Sequence, residues 1–283
     1  MSSTRTVTLI ANGVRRVLAC SDEPTQLGTG AQLNGSTSYT INSRRVALIP
    51  GERVGPVQAQ PRTFVVPVIV EGATELAVDQ NLADLLADLN PAEDCRILYR
   101  RPDGTERELV ARYQGGGDAV SATAEAGYLQ RHVRVPLVFR AYFPYWRDLT
   151  NSLVVSGPTT FQDGRGAGTN LLTFTNPGDV ECSPELIITG HAEAIEVTNL
   201  TTGGVLRVVE VIPVGSTLRI DADPASFGVW INDVEADGAM DTATDWWSLA
   251  PGANVILVRA NTATGAEAIG QFTIRCRPLY ETC

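Results

Sequence analysis

The chain has 283 residues, enough for about two domains, with 22 basic residues (all arginine), 32 acidic residues and a net charge of −10. At 43% hydrophobic and 19% charged it has the composition of a globular protein that buries a core, which excludes disordered and fibrous classes. A polyanion is repelled by phosphate, so non-specific nucleic-acid binding is excluded as well.

The longest apolar runs, Phe64–Val66 and Val68–Val70 on either side of Pro67, are far too short to cross a bilayer. The opening MSSTRTVTLIANGVRRVLAC has no charged region followed by a sustained apolar stretch, so no secretory leader is expected. Charge divides the chain. Residues 1–150 hold 16 arginines and 16 acidic residues, a balance of zero, whereas residues 151–283 hold 6 and 16, a balance of −10. The Gly-, Ser- and Thr-rich stretch between them predicts a linker at 151–169 separating domains at 1–150 and 170–283.

In chain order, Thr6–Ile10 and Arg15–Ala19 are β-prone runs joined by Asn12-Gly13, a tight hairpin turn. Residues 21–62 are polar and rich in Gly and Pro, with one strand-like stretch at Arg44–Ile49, and read as a loop or an arm ordered by a neighbour. Thr63–Val70 reads as a strand that Pro67 places at an edge or bulge. Leu82, Leu85, Leu86 and Leu89 fall at i, i+3, i+4 and i+7 and predict a helix, with Asp79 as N-cap and Asn90-Pro91 as stop. Strands follow at Arg96–Arg101 and Glu106–Tyr113, joined over Pro102-Asp103-Gly104, and at Arg131–Ala141.

Beyond residue 170 no long helix fits. Short strands are predicted at 171–175, 185–189, 195–199, 205–211, 217–222, 228–231, 246–249, 254–260 and 268–275. Between them lie turn signals such as Asn176-Pro177-Gly178, Thr202-Gly203-Gly204 and Pro251-Gly252, the pattern of a sandwich or jelly roll.

These residues resemble a family. The stretch TFVVPVIVEGATELAVDQNLADLLADLNPAEDCRILYRRPDGTERELVARY, with RHVRVPLVFRAYFPYW after it, is similar to the N-terminal domain of siphophage distal tail proteins. SPELIITG, IEVTNLTTGGVL, LRIDAD and WWSLAPGANVI are similar to their second domain. The resemblance runs from about residue 63 to 277.

It implies a mainly β fold, with a ring-forming belt domain that carries one helix and a galectin-like sandwich behind it. It implies a structural, non-enzymatic virion protein at the tail tip, assembled in the host cytoplasm. The partners it implies are other copies in a closed ring, usually of six, the tail tube protein, the tail-tip hub, the tape measure protein and a receptor-binding protein. DNA would pass through the lumen, and an acidic chain without lysine would not hold it. Residues 21–62 would carry an arm laid on the neighbouring subunit.

Candidate chemistry is sparse. Asp233, Glu235, Asp237 and Asp241 fall at positions 1, 3, 5 and 9 of a calcium-loop spacing, but position 12 is Thr244 and the flanks read as strands. The competing reading is a solvated hairpin loop, and no metal site is expected. No GxSxG, HExxH or phosphate loop occurs, Gly115-Gly116-Gly117 lacks a following lysine, and neither His132 nor His191 has a nucleophile beside it. No catalytic residue and no cofactor is therefore expected.

The five cysteines have no zinc spacing and read as reduced and unpaired. Pro144, Tyr145 and Trp146 mark the domain junction. Trp230 reads as core, and of the adjacent Trp246 and Trp247 one reads as core and the other as an interface or sugar-stacking residue. The alternatives to a ring subunit are a carbohydrate-binding minor tail protein acting in host attachment, and a glycan hydrolase using a pair such as Asp221 and Asp223.

Overall fold

The computed structural model describes residues 6–18, 25–28, 31, 33, 37–45, 52–116, 132–149, 154–161, 170–224, 226–261 and 270–283. Cys20, Gly117 and the expected strand residues 46–49 lie outside them. The chain forms two compact units, one of Met1–Thr150 with Tyr280–Cys283, the other of Asn151–Leu279.

The first unit is built from β1 (Thr6–Ala11), β2 (Val14–Leu18), β3 (Thr25–Leu27), β4 (Tyr39–Arg45), β5 (Glu52–Ala59), β6 (Arg62–Glu71), α1 (Glu75–Asp88), β7 (Asp94–Arg100), β8 (Glu106–Gly115), β9 (His132–Ala141) and β10 (Trp146–Asp148). Its main sheet runs β2-β1-β7-β8-β9-β6-β3, with β10 also on β8, and its described pairs are antiparallel. The end strands β2 and β3 approach each other, so the sheet curls into a barrel whose inward side chains alternate along each strand. In β9, for example, Val135, Leu137, Phe139 and Ala141 are all fully buried.

The β1–β2 turn has positive φ at both Asn12 (47°) and Gly13 (75°), the geometry that only such residues enter cheaply. At the β7–β8 turn the Asp103 carboxylate accepts from the Thr105 backbone N–H at 2.9 Å.

Helix α1 closes the barrel core. Leu85 and Leu89 are buried in it, with Leu82 and Leu86 packed alongside, as the leucine stripe predicts. The start differs from expectation. Thr74, not Asp79, is the N-cap, accepting at Oγ1 from Ala77 N at 3.2 Å; the helix begins a turn earlier because Gly72 lets the chain turn in against it. A Cβ at Gly72 would sit 2.6 Å from Val78 N. At the other end the Arg16 guanidinium reaches from β2 to the Asp88 carboxylate at 2.7 Å and to the Asp84 carbonyl at 3.1 Å, placing a cation where the helix dipole favours one.

Pro67 also departs from expectation. It lies inside the sheet, opposite Pro136. The Pro67 carbonyl accepts from Gly28 N at 2.7 Å, on the side away from β9. Since N and C=O of one strand residue point the same way, the missing N–H of Pro67 faces away from Pro136, and the pair costs the β6–β9 ladder no hydrogen bond.

The second unit holds β11 (Val154–Phe161), β12 (Asn170–Asn176), β13 (Pro184–Gly190), β14 (Glu193–Asn199), β15 (Val205–Val208), β16 (Thr217–Asp221), β17 (Gly228–Ile231), β18 (Val234–Glu235), a short 3-10 turn at Asp237–Ala239, β19 (Gly252–Asn261) and β20 (Gly270–Cys276). The last strand, β21 (Leu279–Tyr280), straddles the point where the chain re-enters the first unit. Sheets β11-β20-β13-β16-β17-β18 and β12-β19-β14-β15 supply the two walls of a sandwich. Leu186, Ile188, Leu218, Ile220, Phe272 and Ile274 are buried from one, and Phe174, Ile195, Val197, Leu206 and Ile256 from the other.

Two expectations fail here. The stretch read as a linker contributes β11, an edge strand on β20. Trp246–Leu249 is not a strand but an irregular segment with one isolated bridge, Cys182 to Leu249.

Buried asparagines hold that segment. Asn254 Nδ2 donates to the carbonyls of Ala250 (2.8 Å) and Gly252 (3.1 Å), while its Oδ1 accepts from Ala250 N (3.0 Å). Asn199 Nδ2 donates to the Ser248 carbonyl at 3.1 Å, and Asn176 Nδ2 to the Leu249 carbonyl at 3.1 Å. Trp247 is buried over Gly204 and donates to the Val197 carbonyl at 3.3 Å. The WWSLAPGAN run is thus a scaffold in which side-chain amides replace the ladder a strand would have used. Asn254→Ala should cost the second unit about 2–4 kcal/mol, because it leaves several buried backbone groups unpaired. Denaturant unfolding followed by tryptophan fluorescence measures it, and a loss below about 0.5 kcal/mol would contradict the scaffold role.

Candidate functional site

One element of the first unit stands apart from its barrel. Among the described residues, strands β4 and β5 pair only with each other, in register Tyr39 to Ala59, Ile41 to Val57 and Ser43 to Val54, with an irregularity between Ile41 and Ser43. Gln60 N donates to the Ser38 carbonyl at 2.8 Å and closes the foot of this hairpin. Gly55 and Pro56 fit here because they fall in that irregularity, opposite Asn42, where the ladder is already interrupted. The apolar residues face solvent: Ile41 is 60% exposed, Val57 55% and Val54 68%. A two-stranded hairpin with no covered face is marginal in water by itself, so this one has the character of a surface awaiting a partner.

The foot is anchored by the last residues of the chain, which belong to the same unit. The Tyr39 hydroxyl donates to Glu281 Oε1 at 2.5 Å. Partial burial, followed by the hydrogen bonds with Glu281 and Tyr145, pushes the Tyr39 phenol well above its ordinary pKa. Arg107 stacks on the Tyr280 ring at 3.5 Å and donates to the Thr282 carbonyl at 2.5 Å. Below the foot, Arg62 donates to the Leu33 carbonyl at 2.6 Å.

Of the residues singled out in the sequence, Tyr145 reaches this foot through its hydrogen bond with Tyr39; the others lie elsewhere. Pro144 and Trp146 are buried and Tyr145 half-buried, all in the first unit. Trp146 is fully enclosed in the barrel core, its ring 6.4 Å from Tyr99, while Tyr145 stacks edge-on with Phe143 at 5.3 Å.

The four carboxylates of the calcium-loop spacing do not converge. Asn232 and Asp233 (φ 52° and 63°) form the tight turn between β17 and β18, Glu235 is opposite Trp230, Asp237 opens the 3-10 turn, and Asp241 accepts from Ala243 N at 2.9 Å. No cluster of three or more metal-ligating side chains occurs among the described residues. Twelve-residue spacing is a poor guide here because the hairpin turn, β18 and the 3-10 turn take up the first half of the loop.

His191 sits 3.6 Å from Glu193. Trp230 is not core: it lies half-exposed on the outer face, under the Arg219 guanidinium at 3.7 Å. The β17 register puts Val229 inside instead. Trp246 and Phe227 are both exposed, their rings 4.5 Å apart.

Residues 177–273 match a known family, the siphovirus-type tail component, C-terminal domain. The crystal structure of SPP1 Dit, titled a paradigm of the hub adsorption apparatus in phages infecting Gram-positive bacteria, superposes with a TM-score of 0.68. It covers 96% of this chain and 98% of that one at 17% identity. The phage P2 baseplate structure with Ca covers the same shares at 10% identity and a TM-score of 0.47. No curated protein sequence matches the chain.

The chain therefore has the fold of a structural siphophage tail component. More narrowly, barrel and sandwich together make it the fold of a distal tail protein.

Proposed function

We propose that this chain is a ring subunit at the distal end of a siphophage tail, joining the tail tube to the tip and its receptor-binding apparatus, and acting by assembly rather than by catalysis. The observation that carries this reading is the β4–β5 hairpin, whose exposed Ile41, Val54 and Val57 suit the back of the next subunit. A hairpin on one side of a subunit meeting a different surface on its neighbour is a heterologous contact, which closes into a ring when the rotation allows. Six copies are the expected number by analogy with the family. The tube protein, tail-tip hub, tape measure protein and receptor-binding protein are the partners proposed, and the virion tail tip is the proposed location.

Native mass spectrometry and negative-stain microscopy of the full chain test the reading. A closed multiple with a central hole is expected. A folded monomer at concentrations on the order of 10 μM, far above the dissociation constant of a stable interface, would overturn it. If that monomer were retained by host wall polysaccharide, attachment through a glycan would take its place, with the exposed Phe227–Trp246 pair as its supporting observation.

A further inference from the structure

The fold of the second unit brings two cysteines together from opposite ends of its sequence. Cys276 closes β20 opposite Pro184, the first residue of β13. Cys182 lies two residues before Pro184 and is pinned by paired backbone hydrogen bonds with Leu249, of 3.1 and 2.8 Å. The two are 276 − 182 = 94 residues apart in the chain. They are 1% and 2% exposed, their thiols lie near enough to perturb each other, and neither is in a disulfide. The other described cysteines, Cys95 and Cys283, belong to the first unit.

Buried cysteine often acts as a small apolar side chain, and one thiol in a core needs no other account. Two thiols in mutual contact, on backbone segments already fixed by ladder and bridge, are a different arrangement. An S–S bond requires specific separation and direction of the two Cβ atoms; the β13–β20 register sets Cys276 opposite Pro184, two residues from Cys182, so closure takes a local shift of the Cys182 segment toward β20.

We propose that Cys182 and Cys276 are a latent cross-link that closes to a disulfide when the protein leaves a reducing environment and meets dioxygen. Two S–H bonds break and one S–S bond forms. The two protons and two electrons pass to dioxygen, which leaves as hydrogen peroxide. The bridge closes a loop of more than ninety residues and restricts the unfolded chain accordingly. It therefore hardens the sandwich for a life outside the cell without altering the fold made inside it.

The reaction is slow in the closed fold. The attacking species is the thiolate, and the contact with Cys276, together with burial, holds the Cys182 thiol far above the ordinary thiol range. Mild denaturant, which opens the sandwich, accelerates it.

The test uses the full chain, purified reduced and divided between a thiol reductant and air with catalytic copper ion, each with and without low urea. Denaturing alkylation and peptide mass mapping then follow. The expected result is a cross-linked peptide pair containing Cys182 and Cys276, with Cys95 and Cys283 still alkylated. The unfolding midpoint should rise by roughly 5–10 °C and be restored by reductant. Full alkylation of both cysteines after prolonged oxidation in urea would overturn the proposal, as would sulfinic acid at either one or bridges to other cysteines. Cys182→Ser should abolish the midpoint gain, and if that variant does not fold, the wild-type peptide map decides alone.

Discussion

Ile41→Asp should reduce the proposed ring to monomers while leaving both units folded. Ile41 is 60% exposed and faces Val57 across the hairpin, so a carboxylate there meets water in the free chain and costs the barrel nothing. In the proposed ring the same position would be covered. Burying an unpaired carboxylate costs several kcal/mol, which weakens each contact by about 100-fold or more.

A closed ring multiplies that loss, because every subunit carries the change. Size-exclusion chromatography with light scattering reads the assembly state, and far-ultraviolet circular dichroism verifies the fold. Ile41→Val, apolar and of similar shape, should assemble normally. Assembly of Ile41→Asp at wild-type concentration would remove the hairpin from the interface, and with it the observation on which the ring reading rests.

The hairpin is also the element least legible in the sequence. The barrel strands announce themselves by alternation: Val133, Val135, Leu137 and Phe139 lie on one side of β9, and the two-residue turn at Asn12-Gly13 fixes the first hairpin. The helix shows its stripe at Leu82, Leu85, Leu86 and Leu89. In each case one face is buried, and burial writes a period into the sequence.

The described side chains of β4 and β5 bury neither face, so nothing constrains them to alternate. What remains is a polar stretch with Gly55 and Pro56 that reads as a loop or an arm ordered by a neighbour, with a strand-like piece only at Arg44–Ile49. The edge strand β11 is missed as well, inside a stretch whose Gly, Ser and Thr suggest a linker. The WWSLAPGAN segment misleads in the opposite direction. Its apolar residues Trp247 and Leu249 are buried, but Asn199, Asn254 and Asn176 hold the backbone by side-chain hydrogen bonds that propensity does not report. Trp230 shows that an apolar ring can lie outside when a cation covers it.

Trp146 offers the largest single effect on the first unit, and a pair of substitutions separates its two contributions. It is fully buried, packs edge-on against Tyr99 at 6.4 Å, and its Nε1–H has no hydrogen-bond partner among the described residues. Trp146→Ala removes the largest fully buried side chain and leaves a cavity the rigid barrel cannot collapse around, which should cost about 3–5 kcal/mol. Trp146→Phe keeps a ring against Tyr99 and removes the unpaired N–H. Relief of that buried donor offsets part of the lost volume, so the cost should stay below about 1.5 kcal/mol.

Urea unfolding of the full chain, followed by circular dichroism, gives both numbers. The second unit's transition serves as an internal reference wherever the two are resolved. Equal losses for Ala and Phe would mean that the indole N–H is engaged and that a hydrogen bond, not ring volume, fixes this end of the barrel. A small loss for Ala would mean that Tyr99 and its neighbours close over the vacated space, and that the barrel yields where its ladders suggest it should not.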